Sequence, residues 1–258
     1  MRYLLGVYRI VALLLVLGAS ALLILLSAAL PVRVRGARLS SRIASWMCRS
    51  FLRILNVRVE VQEPERIIRH QGFLFPNHVS FIDPLVLMSL VPVRFLAKDA
   101  IRSWPLLGWI ASAIDTVWVA RGSKESRSQA RAALLDVPRS PPIALFPEGG
   151  IHPTGLLLNP FRWGAFEIAI HSQLPYLPCV LVYEQRELVF WGDESLLAAA
   201  WRVASRRTGE IAVKLLPLHT VEPRPEDDAK LLAAEAHGAV HSVLALHHGG
   251  ESVVEEGI

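Results

Sequence analysis

Asn77-His78-Val79-Ser80-Phe81-Ile82-Asp83-Pro84 follows directly on an apolar run, residues 73–75, that reads as a buried strand. The eight residues therefore describe a strand exit and the start of a helix. Asp is a favoured helix N-cap and Pro a favoured first helical residue, so Asp83-Pro84 is expected to open a helix over residues 84–90. His78 and Asp83 lie five positions apart, about 140° around an ideal helix, and cannot share one helix face. They can meet if His78 sits on the strand-exit loop and Asp83 heads the helix. Two readings stay open on local grounds. Either Asp83 is only a cap and His78 only a loop residue, or the carboxylate holds the imidazole in the tautomer that leaves its other nitrogen free as a base.

Outward from this stretch, strands are expected at 57–61, 94–97, 116–119, 143–146, 177–183 and 210–216. Helical stretches at 124–135, 164–171 and 194–205 fall between several of them, and 226–246 reads as a closing helix. Such alternation predicts an α/β domain with a mixed, mainly parallel sheet flanked by helices. Prolines at 138, 141 and 142 and at 223 and 225 punctuate it. No internal repeat is visible.

The front of the chain differs in kind. Residues 10–30 carry no charge, and at roughly 1.5 Å per residue they span about 31 Å, enough to cross a hydrocarbon core. A cleaved signal peptide is the rival reading, but its apolar run is usually only ~7–15 residues. Arg33, Arg35, Arg38 and Arg42 follow Pro31, which by the positive-inside rule places the body on the cytoplasmic side. Residues 38–55 then repeat Leu39, Ile43, Trp46, Met47, Phe51, Ile54 and Leu55 at helical spacing, with arginines on the other side. A cationic amphipathic helix of this kind suits the headgroup plane, and an apolar stripe suits packing on a protein core equally well. The expected organisation is membrane-anchoring helices over 1–55, one domain over 56–246 and a tail over 247–258.

Composition supports this division. The 258 residues are 52% apolar and 19% charged, with mean hydropathy +0.38, too apolar for an ordinary soluble enzyme and excluding a disordered chain. Residues 1–58 hold nine arginines and no acid, leaving 18 basic against 23 acidic residues behind them. A basic, apolar front on an acidic body points to an anionic membrane surface rather than to nucleic acid. Cys48 and Cys179 stand alone, with no CxxC, so neither a disulfide framework nor a cysteine zinc site is expected. His237 and His241 sit four apart on the closing helix with no HExxH pattern, which favours a solvated face over a metal site.

A second stretch, Phe146-Pro147-Glu148-Gly149-Gly150, stands at another strand exit. Its glycines let a ligand approach the backbone closely, although a simple turn uses the same residues. Together the two stretches resemble a family. Asn77-His78-x-Ser80-x-x-Asp83 is similar to the NHxSxxD signature of the glycerolipid (lysophospholipid) acyltransferases, and Phe146-Pro147-Glu148-Gly149 to their FPEG motif. Between and after them Arg94-Phe95-Leu96-Ala97-Lys98, Pro105-Leu106-Leu107-Gly108-Trp109, Val119-Ala120-Arg121-Gly122, Pro160-Phe161-Arg162 and Leu177-Pro178 keep the family's order across about residues 35–220.

The resemblance implies acyl transfer from acyl-CoA or acyl-carrier protein to a lysophospholipid hydroxyl, with no bound cofactor and no metal. It implies His78 as base and Asp83 as its orienting carboxylate. Asn77, Ser80, Glu148 and Gly149 are implied at the substrate, with Lys98 and Arg121 as cations for the acceptor's phosphate. Backbone N–H groups near Gly149 are an expected oxyanion site. The simplest acceptor is 1-acyl-glycerol-3-phosphate. One departure bears on that: the family often continues FPEG as Thr-Arg-Ser, whereas Gly150-Ile151-His152 stands here. The alternatives are another acceptor, such as a lyso-ornithine lipid, and a non-catalytic lipid-binding relative that keeps the fold.

Overall fold

The computed structural model describes residues 2–30, 32–119, 139–151, 156–207 and 209–248. The expected helix over 124–135, Arg121 and residues 249–258 lie outside the described residues, and His247 and His248, expected to open the tail, still belong to the closing helix. A long helix, α1 (Arg2–Ala28), leads through a short hairpin, β1 (Arg33–Val34) and β2 (Ala37–Arg38), into α2 (Leu39–Ile54). Then come β3 (Val57–Val61), α3 (Pro64–Ile68), β4 (Phe73–Pro76), α4 (Asp83–Leu90), β5 (Arg94–Lys98), α5 (Leu107–Ala113), β6 (Val117–Val119) and β7 (Ile143–Ala144). The chain continues through α6 (Gly164–Ser172), β8 (Tyr176–Tyr183), α7 (Arg186–Val189), α8 (Leu196–Ala204), β9 (Ile211–Pro217) and α9 (Ala229–His248).

Seven strands form one sheet in the order β3-β9-β8-β4-β7-β5-β6. All neighbours are parallel except β8 and β9, which pair antiparallel. The mixed, mainly parallel sheet expected from the sequence is the one found. Its central strands are covered on both faces, which is why they read as continuous apolar runs rather than alternations. All eight residues of β8 are buried, whereas edge strand β3 turns Arg58 and Glu60 outward.

Strand alternation divides the core. Leu74, Leu177, Cys179, Leu181 and Tyr183 point to the face covered by α1, α2, α4, α5 and α8. Phe73, Phe75 and Tyr176 point to the opposite face, against α6 and α9. Chain connections from β4 run over the first face to β5, and those from β7 run over the second face to β8. The loops leaving β4 and β7 therefore diverge at the carboxyl ends of neighbouring strands, the place where open α/β sheets leave a crevice.

The first two helices are part of this body. Ala21 and Ile24 of α1 and Ala44, Met47, Cys48 and Leu52 of α2 join the same core cluster as α4 and the sheet. Residues 1–55 thus share a core with the domain expected to begin at 56, because α2 buries Ser40, Ser41, Ala44 and Ser45 together with Met47, Cys48 and Leu52 against it. Two of its arginines are also engaged, Arg49 donating to the Ser89 carbonyl at the end of α4 and Arg42 to the Val34 and Arg35 carbonyls, and Arg38 just ahead of it pairs with Asp115. Trp46 stays 48% exposed. In α1, Arg9 donates to the Ala204 and Arg206 carbonyls at the end of α8, while Leu4, Tyr8, Leu14, Leu15, Leu22 and Leu26 are exposed.

Candidate active site

β4 ends at Pro76, and Asn77 then continues the sheet with its side chain. The Asn77 amide donates to the Leu181 carbonyl of β8 at 3.1 Å and accepts from the Leu181 N–H at 2.7 Å. This pair fixes the point from which the loop departs. His78 follows, and its Nδ1–H donates to Asp83 Oδ2 at 2.8 Å. The same oxygen accepts the backbone N–H groups of Val79 and Ser80 at 2.6 and 2.8 Å. Asp83 is the first residue of α4 and does not cap it, contrary to the sequence expectation. Its carboxylate turns back onto the loop instead, where three N–H groups converge.

The second oxygen, Asp83 Oδ1, accepts the phenol O–H of Tyr183 at 2.6 Å. Tyr183 is the last residue of β8 and carried no signal in the sequence beyond ending an apolar run. Asp83 is fully buried, while the His78 side chain retains 15% exposure. Among the described residues His78 Nε2 has no hydrogen-bond partner. One ring nitrogen is thus held and the other is open.

β7 delivers the second half of the site. Phe146 stacks on the His78 ring at 3.9 Å between centroids and 16° between planes. Glu148 accepts the His78 backbone N–H at 2.6 Å through Oε1 and the Asn159 N–H at 3.1 Å through Oε2. Burial pushes the Glu148 carboxyl above its ordinary range, and these hydrogen bonds oppose that rise. The two motifs are therefore bonded to each other through one buried carboxylate.

Several expected contacts have a different place. Asn77 and Ser80 are interior, the latter accepting the Ile82 N–H, and Glu148 is only 3% exposed. All three brace the loop rather than face a substrate, because their polar atoms already serve backbone groups. The Gly149 N–H donates to the Phe146 carbonyl, which commits to the turn an amide expected to serve an oxyanion. Gly149 itself is needed for its backbone, with φ at +75° and the Arg162 Nε only 2.7 Å from where a Cβ would stand. Arg162, exposed at this rim, donates to the Glu148 carbonyl and was not singled out by the sequence as a site residue. Gly149→Ala should displace Arg162 and cost about 1–3 kcal/mol, read by thermal denaturation beside wild type.

Lys98 ends β5, two strands from β4 along the same carboxyl edge; its side chain, like Arg121, lies outside what is described. Cys48 and Cys179 are buried and far from nucleophilic, their thiols pushed up to about 12 by burial. His237 and His241 stack 6.1 Å apart on α9, with His237 edge-on to Phe161. Among the described residues no three metal-ligating side chains converge.

A family model described as Acyltransferase matches residues 58–182, the segment that contains both motifs and the Leu181 contact on β8 and stops one residue short of Tyr183. A lyso-ornithine lipid O-acyltransferase of Pseudomonas aeruginosa is 30% identical over 195 residues, covering 73% of this chain and 72% of that protein. The chain belongs to the acyltransferase family. This acyltransferase is also 26% identical over 203 residues to a 1-acyl-sn-glycerol-3-phosphate acyltransferase of Neisseria meningitidis, covering 76% of the chain and 78% of the relative. The crystal structure of the 1-acyl-sn-glycerophosphate acyltransferase PlsC from Thermotoga maritima superposes with a TM-score of 0.72 at 18% identity. That superposition covers 96% of this chain and 98% of that one, and shows a shared fold.

Proposed function

We propose that the protein acylates the free hydroxyl of a lysophospholipid, with acyl-CoA or acyl-carrier protein as donor, 1-acyl-glycerol-3-phosphate being the simplest acceptor and phosphatidic acid the product. The observation that carries this reading is the His78 imidazole, tied to a buried carboxylate at Nδ1 and open at Nε2. Nε2 takes the acceptor's hydroxyl proton, and the oxygen attacks the thioester carbonyl carbon. The C–S bond breaks as the tetrahedral intermediate collapses, and the leaving sulfur takes the proton from the imidazolium. Asp83 keeps the ring in the productive tautomer and stabilises the imidazolium. No acyl-enzyme is formed, in keeping with two buried thiols.

Membrane placement follows from α1. Its exposed apolar stripe meets lipid, and the arginines from Arg33 to Arg42 face the cytoplasmic, anionic leaflet together with the body. Lipid acceptors then reach the crevice from the surface to which the protein is bound.

Arg121, two residues beyond β6, is assigned to the acceptor's phosphate. Charge-assisted bonds of this kind contribute roughly 1.5–3 kcal/mol, so Arg121→Ala should lower kcat/KM for the phosphate acceptor by about 10–150-fold with little change in donor KM. Arg121→Lys should restore only part, since an ammonium lacks the planar fork. A second acceptor, lyso-ornithine lipid, is favoured by Gly150-Ile151-His152 standing where the family often has Thr-Arg-Ser, and by the P. aeruginosa relative. The test is purified protein, a panel of both acceptors, labelled donors and mass spectrometry of products. Turnover of lyso-ornithine lipid alone selects the second acceptor; no product from any acceptor overturns the enzymatic reading.

A further inference from the structure

We propose that Tyr183 is a positioning residue for the transfer reaction: its phenol O–H holds the Asp83 carboxylate so that Asp83 in turn fixes the His78 ring. The inference rests on the reading of His78 as the base. It begins with the division of labour on Asp83. Oδ2 accepts from His78 Nδ1 and from two backbone N–H groups, whereas Oδ1 accepts from Tyr183, its one donor among the described residues. Without Tyr183 that oxygen is a buried anionic atom with no partner, since Asp83 has 0% exposure.

β8 meets the loop at two points, once through backbone and once through a side chain. The Leu181 backbone clamps Asn77 ahead of His78, and the Tyr183 side chain holds Asp83 behind it. The loop is thus gripped on both sides of the imidazole. Tyr183 is 1% exposed, and burial beside the Asp83 carboxylate pushes its phenol well above the ordinary range. It therefore stays a donor across the pH range in which an imidazole titrates. Among the described residues, the ionisable groups bonded to the loop are Asp83 from α4, Tyr183 from β8 and Glu148 from the exit of β7.

A donor on Oδ1 withdraws charge from the carboxylate and moderates its pull on the imidazolium. Losing the donor makes Asp83 a stronger partner of the charged ring, so His78 stays protonated to higher pH. The test uses full-length protein in detergent micelles with Tyr183→Phe and with 3-fluorotyrosine installed at position 183. Tyr183→Phe is expected to lower kcat about 10-fold, with both KM values within about two-fold, as one charge-assisted hydrogen bond is lost from the orienting group. The acid limb of kcat/KM should move up by roughly 0.5–1 pH unit. The fluorinated phenol keeps its shape and is a stronger donor, so its limb should move down, and it carries the test if Tyr183→Phe does not fold. The His78 ring titration, followed by NMR with isotope-labelled histidine, should shift in the same two directions. Limbs and titrations that stay at wild-type values in folded variants overturn the role of Tyr183 while an inactive His78→Ala leaves the base reading standing. An active His78→Ala overturns both.

Discussion

His78→Ala is expected to leave a folded protein with no measurable acyl transfer. The side chain contributes one hydrogen bond and one ring stack to a loop that Asn77, Glu148 and the Asp83 backbone contacts still hold. Its loss removes the open Nε2, and general-base catalysis supplies on the order of 10²–10⁴-fold, more where an unactivated alcohol must attack. Asp83→Asn should lose less, though still a large fraction: the amide oxygen can keep the three N–H donors while its NH₂ turns to the Tyr183 oxygen, but a neutral amide no longer stabilises the imidazolium. Single-turnover assays with labelled donor, alongside a melting curve for each variant, check both. Near wild-type turnover in folded His78→Ala would sink the mechanism.

The second large effect is on the frame that carries the loop. Gly72 enters β4 with φ at +134°, and a Cβ there would stand 2.2 Å from the Pro175 carbonyl oxygen. That oxygen accepts the Phe73 N–H, while the Gly72 N–H donates to Arg139 and its carbonyl accepts the Ile143 N–H. One residue thus sets the start of β4 against both neighbours, and backbone cannot yield as a flexible side chain can. Gly72→Ala should cost about 3 kcal/mol or more. For a chain of this size that lowers Tm by roughly 6–12 °C, measurable by differential scanning fluorimetry in detergent. A shift under about 2 °C would contradict the geometry.

The sequence made legible what is local. Residues 57–61 are a strand as expected, and 164–171 and 194–205 differ from α6 and α8 by a residue or two at their ends. The pairing of His78 with Asp83 was legible because a strand exit and a helix start fix where five residues can meet. What escaped was short or distant. α3, α5 and α7 have five, seven and four residues, too few for a helical period to show. β7 stops at Ala144 rather than 146, because Phe146 leaves the strand to stack on His78. The α2 stripe looks the same whether it faces lipid or protein, and much of the face that is buried is Ser40, Ser41, Ala44 and Ser45, small residues that carry little hydropathy signal. Tyr183 meets Asp83 across 100 residues of sequence, and no local pattern reports such a contact.

That separation has a consequence for when the molecule becomes active. The clamps from Leu181 and Tyr183 close loops of 104 and 100 residues, contacts whose entropy cost falls due before any stabilisation returns. At roughly 5–20 residues per second, the ribosome needs about 5–20 s to make the stretch between Asp83 and Tyr183. Throughout that interval α1, α2 and the histidine loop already exist as chain, while the strand that grips the loop does not. Attachment to a bilayer can therefore run ahead of catalytic competence. A nascent chain halted before β8 is a tethered precursor with an ungripped histidine, and chemistry on the surrounding lipid waits until β8 has been made.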